Sequence, residues 1–194
     1  MASVEEIRAF VAIDLPDEVR KALVEAKSDI AEGVRRDAVR WVKPQNIHLT
    51  LRFLGNTALE KLSLFTTRMD EIIGKHQAFD LQLAGIGCFP NARRPRVLWI
   101  GINGAKDRLG SLQANVEDLV VESGWKRENR RYHPHLTLGR VKNSREVAES
   151  DIQWGKIMQR GLIPVSAIHL IESTLTPSGA LYTIRHTSCL RKGI

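Results

Sequence analysis

The sequence predicts mixed strands and helices, folded as two similar lobes facing each other across a cleft. Three observations lead there. Apolar patterns of period two alternate with patterns of helical period along the chain. Their order (strand, helix, tryptophan-bearing segment, strand, helix, strand) runs twice. Within it the tetrapeptide His-Leu-Thr-Leu occurs twice, at residues 48–51 and 135–138.

The elements follow in order. Residues 7–14, "IRAFVAID", are rich in β-formers and read as a strand. Pro16 opens a helix with Asp17 and Glu18 in its first turn. Residues 38–43 are a short strand stopped by Pro44, and residues 46–54, "NIHLTLRFL", are another. Thr57 and Glu60 form a capping box for a helix over about 57–74, with Leu59, Leu62, Phe65, Met69 and Ile72 or Ile73 on one stripe. Residues 79–87 and 96–102 are strands flanking the loop "FPNARRP". A helix covers 105–124, where Gly124 can end it. The strand "HLTLGRV" (135–141) comes next, then a weaker helix over about 145–159. Residues 164–173 and 181–190 are paired strands around the turn "TPSG".

Trp41 precedes the first motif and Trp125 the second, and the motif histidines, 48 and 135, stand 87 residues apart. An internal duplication explains this spacing. With 194 residues and no low-complexity linker, the chain reads as one catalytic domain of two lobes, roughly 1–90 and 91–194, with strands open to exchange between them.

Composition narrows the function. Hydrophobic residues make up 43% and charged residues 26%, enough for a core without staples. Cys88 and Cys189 form no CxxC pair, which suits a reducing compartment. No apolar run reaches the roughly 18 residues of a membrane span. Glu5 and Glu6 stand where a signal peptide would be basic, so a cytoplasmic protein without membrane attachment is expected. The net charge of +7 suits a polyanionic partner such as nucleic acid. Two basic loops, 91–96 and 126–131, concentrate it.

In a strand, alternate side chains share a face. His48, Thr50 and Arg52 therefore point one way and Ile47, Leu49 and Leu51 the other. His135 and Thr137 likewise point together, opposite Leu136 and Leu138. Two imidazoles and two hydroxyls facing one cleft suit phosphodiester chemistry. An imidazole titrates near neutrality, so one can take a proton from an attacking oxygen and the other give one to a departing oxygen. The threonine hydroxyls can donate to the phosphoryl oxygens, and no metal is needed.

The paired "HLTL" strands resemble the two His-x-Thr-x motifs of the two-histidine (2H) phosphoesterase superfamily. "RAFVAIDLP", "WVKPQNIHLTLRFLG", "RVLWIGI" and "YHPHLTLGR" resemble, in order, its RNA 2′,3′-cyclic phosphodiesterase (2′-5′ RNA ligase) family. The likeness weakens after about residue 145. It implies an α+β fold, an antiparallel sheet in each lobe and the histidines in the cleft. It also implies cofactor-free, metal-free opening of a terminal 2′,3′-cyclic phosphate to a 2′-phosphate. His48 would then be the proton donor, His135 the proton acceptor, Thr50 and Thr137 phosphate ligands and Arg140 a phosphate clamp. Strict alternation puts Arg140 opposite His135, although Gly139 permits a bulge that turns it inward. The expected partner is RNA with a 2′,3′-cyclic end, tRNA fragments included, met by a monomer.

Arg52, Phe53, Tyr132, Arg130 and Arg131 are candidate RNA contacts, the aromatics by stacking. Arg93, Arg94 and Arg127 are further basic candidates along an RNA path. Two rival readings stand beside this one. A zinc phosphoesterase would use His48, His133 and His135, but Pro134 follows His133 and no acid lies near either motif to orient a ligand. A non-catalytic RNA-binding module would use the charge alone. No G-x-x-x-x-G-K-[ST] string occurs, so any ligation is expected to be weak, reversible and ATP-independent.

Overall fold

Period-two burial builds the first strand, β1 (Glu6–Ile13). It turns Ile7, Ala9, Val11 and Ile13 into the main core, and Phe10 and Ala12 into a small cluster on the opposite face. The structure, a computed structural model, describes residues 5–156, 161–177 and 179–192. Helix α1 (Asp17–Glu32) follows Pro16 and buries Val19, Ala22, Leu23, Ala26 and Ile30, a stripe of helical spacing. Strand β2 (Val39–Trp41) and a 3₁₀ turn, Pro44–Asn46, lead to β3 (Leu49–Ala58) and α2 (Leu59–Ile73). The chain continues through β4 (Phe79–Phe89), β5 (Val97–Gly104), α3 (Lys106–Glu122), β6 (His135–Val141), α4 (Ser144–Ala148), β7 (Leu162–Val165), β8 (Ala167–Thr176) and β9 (Gly179–Cys189).

The fold is α+β, with two antiparallel sheets ordered β3-β1-β8-β9 and β2-β6-β5-β4-β7. Each sheet takes strands from both halves of the chain. One continuous hydrophobic cluster joins the inner faces of both sheets to the helices. Among the described residues, no helix is long and apolar enough to cross a membrane.

Three local expectations are corrected. Thr57 does not cap α2. It pairs with Ile7 in the sheet, is buried, and its hydroxyl donates to the Gly55 carbonyl (3.3 Å), so strand runs directly into helix at Ala58. The helix expected over 145–159 closes after Ala148, although Asn143 caps it by accepting from the Glu146 N–H. Beyond it the chain lies along β4 instead: the Gly155 N–H donates to Ile86 O (2.8 Å) and the Ile86 N–H to Lys156 O (3.3 Å). Residues 157–160 of that expected helix lie outside the described residues. The strand expected over 164–173 breaks at Ser166. Its start, β7, pairs with β4 in one sheet and its remainder, β8, with β1 in the other.

Candidate active site

Each motif histidine is locked by the chain just before it. His48 follows the 3₁₀ turn, and its Nδ1 lies 2.9 Å from the Asn46 carbonyl. His135 opens β6, and its Nδ1 lies 2.7 Å from the His133 carbonyl. A carbonyl only accepts, so Nδ1 carries the proton in both rings and the neutral imidazole keeps its free lone pair on Nε2. The same i−2 contact is thus made twice. Arg20 of α1 braces the first copy. Its Nη1 donates to Pro44 O and Ile47 O (3.0 Å each), and its Nη2 to the Asp14 carboxylate.

Aromatic rings surround both imidazoles. His48 stacks on Phe10 (centroids 4.6 Å, 25°) and meets the edge of Tyr182 at 5.2 Å. His135 meets Phe89 edge-on at 4.9 Å, with Trp99 at 6.2 Å. The Trp99 ring lies across Gly87, where an added Cβ would come within 2.1 Å of it. Burial pushes the His48 pKa down to about 4. The Asn46 carbonyl and Asp14 oppose that shift, while Arg20 and His135 reinforce it. Burial also lowers His135; the His133 carbonyl opposes that shift, and the charge of the His133 ring adds a smaller lowering. The electrostatic effect of His135 on His48 ties the two motifs into one site. So does the Tyr132 hydroxyl, which reaches from beside the second motif to donate to Thr50 O (3.2 Å).

Thr50 and Thr137 share the faces of their histidines, Thr50 opposite Ala12 and Thr137 opposite Trp99. Beyond them both strands depart from alternation at the same place. Val11 pairs with Arg52 and Ala12 with Thr50, which leaves Leu51 as an extra residue. Leu98 pairs with Gly139 and Trp99 with Thr137, which leaves Leu138 extra. Each motif thus ends in a β-bulge that reverses the parity of the residues beyond it. Arg140, paired with Val97, returns to the His135 face, and its charge acts on Tyr182.

The first bulge corrects the expectation for Arg52. It turns with Val11 to the core side, where its Nε lies 2.5 Å from Glu117 Oε2 of α3. This is an ion pair whose angle is not that of a hydrogen bond. Its Nη atoms donate to Phe53 O (2.6 Å) and Lys126 O (2.5 Å), so protein groups hold the guanidinium on that side. Phe53 comes to the cleft face in its place, opposite Phe10 and exposed. Tyr132 is half-buried, and its hydroxyl is committed to the Thr50 carbonyl. In the basic loops, Arg127 pairs with Asp118 and Arg130 with Glu128, while Arg93, Arg94 and Arg131 are exposed. Among the described residues no three His, Cys, Asp or Glu side chains converge as a metal site. The open depression lined by Glu32, Arg35, Glu146 and Glu149 lies apart from all of this.

Sequence reasoning missed Phe10, Tyr182, Phe89, Trp99 and Arg20. Phe10 carried a local signal, a large ring on the strand face opposite Val11. The others come to the histidines through long-range pairing that no local pattern encodes.

Two antiparallel sheets, each presenting a His-x-Thr strand to a common cleft, define a phosphoesterase of the two-histidine class. The chain belongs to the LigT-like phosphoesterase family, whose model matches it twice, over residues 13–99 and 100–182. Each match holds one motif histidine. The chain is similar to the RNA 2′,3′-cyclic phosphodiesterase of Methanothermobacter thermautotrophicus, 32% identical over 180 residues that cover 92% of this chain and 96% of the relative. The enzyme of that name from Archaeoglobus fulgidus is 33% identical over 176 residues, covering 91% and 96%. E. coli LigT in its apo form superposes with a TM-score of 0.79 at 28% identity, covering 96% of this chain and 99% of that one. Its complex with 3′-AMP gives 0.80 at the same identity and coverage.

Proposed function

We propose that the protein hydrolyses RNA terminal 2′,3′-cyclic phosphates to 2′-phosphates, with His48 and His135 as its acid–base pair and no metal. The carrying observation is the duplicated geometry: two imidazoles with the same Nδ1–H lock, each followed two residues on by a threonine, with the charge of His135 felt at His48. Relatives named for this reaction support the substrate class.

The reaction runs between the two Nε2 atoms. His135 Nε2 takes a proton from water as its oxygen attacks phosphorus. The P–O3′ bond breaks, and His48 Nε2–H delivers a proton to the departing 3′ oxygen. Thr50 and Thr137 donate to the non-bridging oxygens, and Arg140 offsets the charge that builds there. Burial keeps His48 neutral in the empty cleft, and an anionic phosphate docking beside it restores the protonated form. An RNA 5′-hydroxyl in place of water gives a 2′-5′ linkage by the same steps, ATP-independent and reversible.

The test is a 2′,3′-cyclic-ended oligoribonucleotide incubated with chelator. A 2′-phosphate product is expected, with turnover falling ~10²-fold or more in His48→Ala and in His135→Ala. Wild-type turnover lost to chelator and restored by zinc would favour the metal alternative. Affinity for RNA with no turnover would favour the binding module.

A further inference from the structure

The residue two places before each motif histidine offers its carbonyl to that ring, but the two lobes use its side chain differently. Asn46 Nδ2 donates to Ala180 O (2.7 Å), tying the first motif to β9. The His133 ring makes no hydrogen bond among the described residues and is exposed. It packs on Phe89 (centroids 5.3 Å, 73°) and Trp99 (5.2 Å, 67°), which lie 5.1 Å from each other and are half-buried. All three rings neighbour His135, at 4.9 Å for Phe89, 6.2 Å for Trp99 and 6.4 Å for His133. Residues 90–96, the basic hairpin loop, begin directly after Phe89. Arg93 and Arg94 in that loop are exposed and have no carboxylate partner among the described residues.

An exposed imidazole propped on two larger rings is a platform for a planar ligand. Histidine, like phenylalanine and tryptophan, stacks the unpaired bases of single-stranded RNA. The place of the platform selects the base. In an in-line displacement the attacking oxygen enters opposite the departing one, and His135 must touch it to take its proton. When that oxygen is an RNA 5′-hydroxyl, the rest of its nucleoside lies on the His135 side of the phosphate, where these rings stand. Water carries no base and makes no use of them. The cationic loop beyond Phe89 suits the phosphates that follow along such a strand.

We infer that Phe89, Trp99 and His133 form a second nucleoside site, which holds the RNA end that carries the attacking 5′-hydroxyl and stacks its base on the exposed His133 ring. The inference rests on the cyclic phosphodiesterase reading and gives the same cleft a second RNA end as a ligand.

The reverse reaction tests it, with 2′,5′-linked diadenosine as substrate. The 3′-hydroxyl attacks phosphorus while His48 Nε2 takes its proton. The P–O5′ bond breaks, and His135 Nε2–H protonates the departing 5′ oxygen. The products are adenosine and adenosine 2′,3′-cyclic monophosphate, and the departing adenosine is the group that the proposed site holds. Hydrolysis of adenosine 2′,3′-cyclic monophosphate, which leaves that site unused, is the reference. The readout is the ratio of kcat/KM for 2′,5′ cleavage to that for cyclic phosphate hydrolysis. His133→Ala should lower this ratio about tenfold, and His133→Phe, which keeps a ring, should hold it within about threefold of wild type. A general disturbance of His135 lowers both rates and leaves the ratio in place. A ratio within about twofold of wild type in His133→Ala therefore overturns the inference, whether both rates hold or both fall together. An equal loss of the ratio in His133→Phe overturns the stacking role and the inference with it. A wild-type protein that opens the cyclic phosphate but neither cleaves nor forms the 2′,5′ linkage rejects this inference alone. One inactive on both substrates rejects the cyclic phosphodiesterase reading, and this inference with it.

Discussion

Arg52 of β3 and Glu117 of α3 form an ion pair almost closed to solvent, with 13% and 9% of their side chains exposed. Glu117 also accepts the Glu128 N–H (2.8 Å), and Arg52 donates to Lys126 O. The pair therefore fastens the strand of the first motif to the loop that leads into the second. Removing one partner strands a buried charge, so Arg52→Met or Glu117→Gln should each cost about 3 kcal/mol. The double change Arg52→Met, Glu117→Leu should recover much of that loss. Urea unfolding of the four proteins checks it, and single changes costing under about 1 kcal/mol would show that the pair is not a strut.

Stability should fall on mild acidification. The folded pKa of His48, about 4, lies below its unfolded value near 6.5, so between those values the unfolded chain binds more protons. The contribution is fully present above about pH 6.5 and is lost as pH drops toward 4, on the order of 3 kcal/mol in all. His135 is lowered too and acts in the same direction. Urea midpoints across this window should slope less in His48→Asn; an unchanged slope would contradict the buried imidazole.

The rate should carry the same signature. kcat/KM reports groups on the free enzyme, and a paired acid and base give a bell whose limbs belong to the pair. Burial lowers both histidines, so the maximum should lie below pH 6.5 with a declining limb above it. A profile rising through pH 7 and 8 would exclude this pair as the titrating groups.

Gly139 fixes the path of the second bulge. A Cβ there would come within 2.6 Å of Val39 Cγ1 and 3.1 Å of the Trp41 ring. Gly139→Ala should cost about 1–3 kcal/mol through this overlap. It should also raise KM, by shifting Arg140 at the next position. Thermal melts and steady-state kinetics on one preparation read both effects; a stability loss with kinetics intact would detach the bulge from Arg140.

Much of this was legible in the sequence because its signals are local. Period-two alternation placed Leu49, Leu51, Leu136 and Leu138 in the core, and it put each motif histidine on the face of its threonine. Pro16 and its acidic first turn located α1, an apolar stripe α2, and Gly124 the end of α3. The repeated tetrapeptide marked His48 and His135 as a pair before any geometry was known. Alternation failed one residue past each threonine, at Leu51 and Leu138. A bulge belongs to two strands at once, and its partner lies far away in sequence. Only the tertiary pairing therefore sent Arg52 to Glu117, turned Phe53 to the cleft face, and split the expected strand at Ser166 between two sheets, whereas Gly139 had already marked the bulge that turns Arg140 inward. The pairing also seated Tyr182 against His48. The sequence by itself determined which groups this protein has for chemistry; strand register, a long-range property, decided which of their neighbours face them.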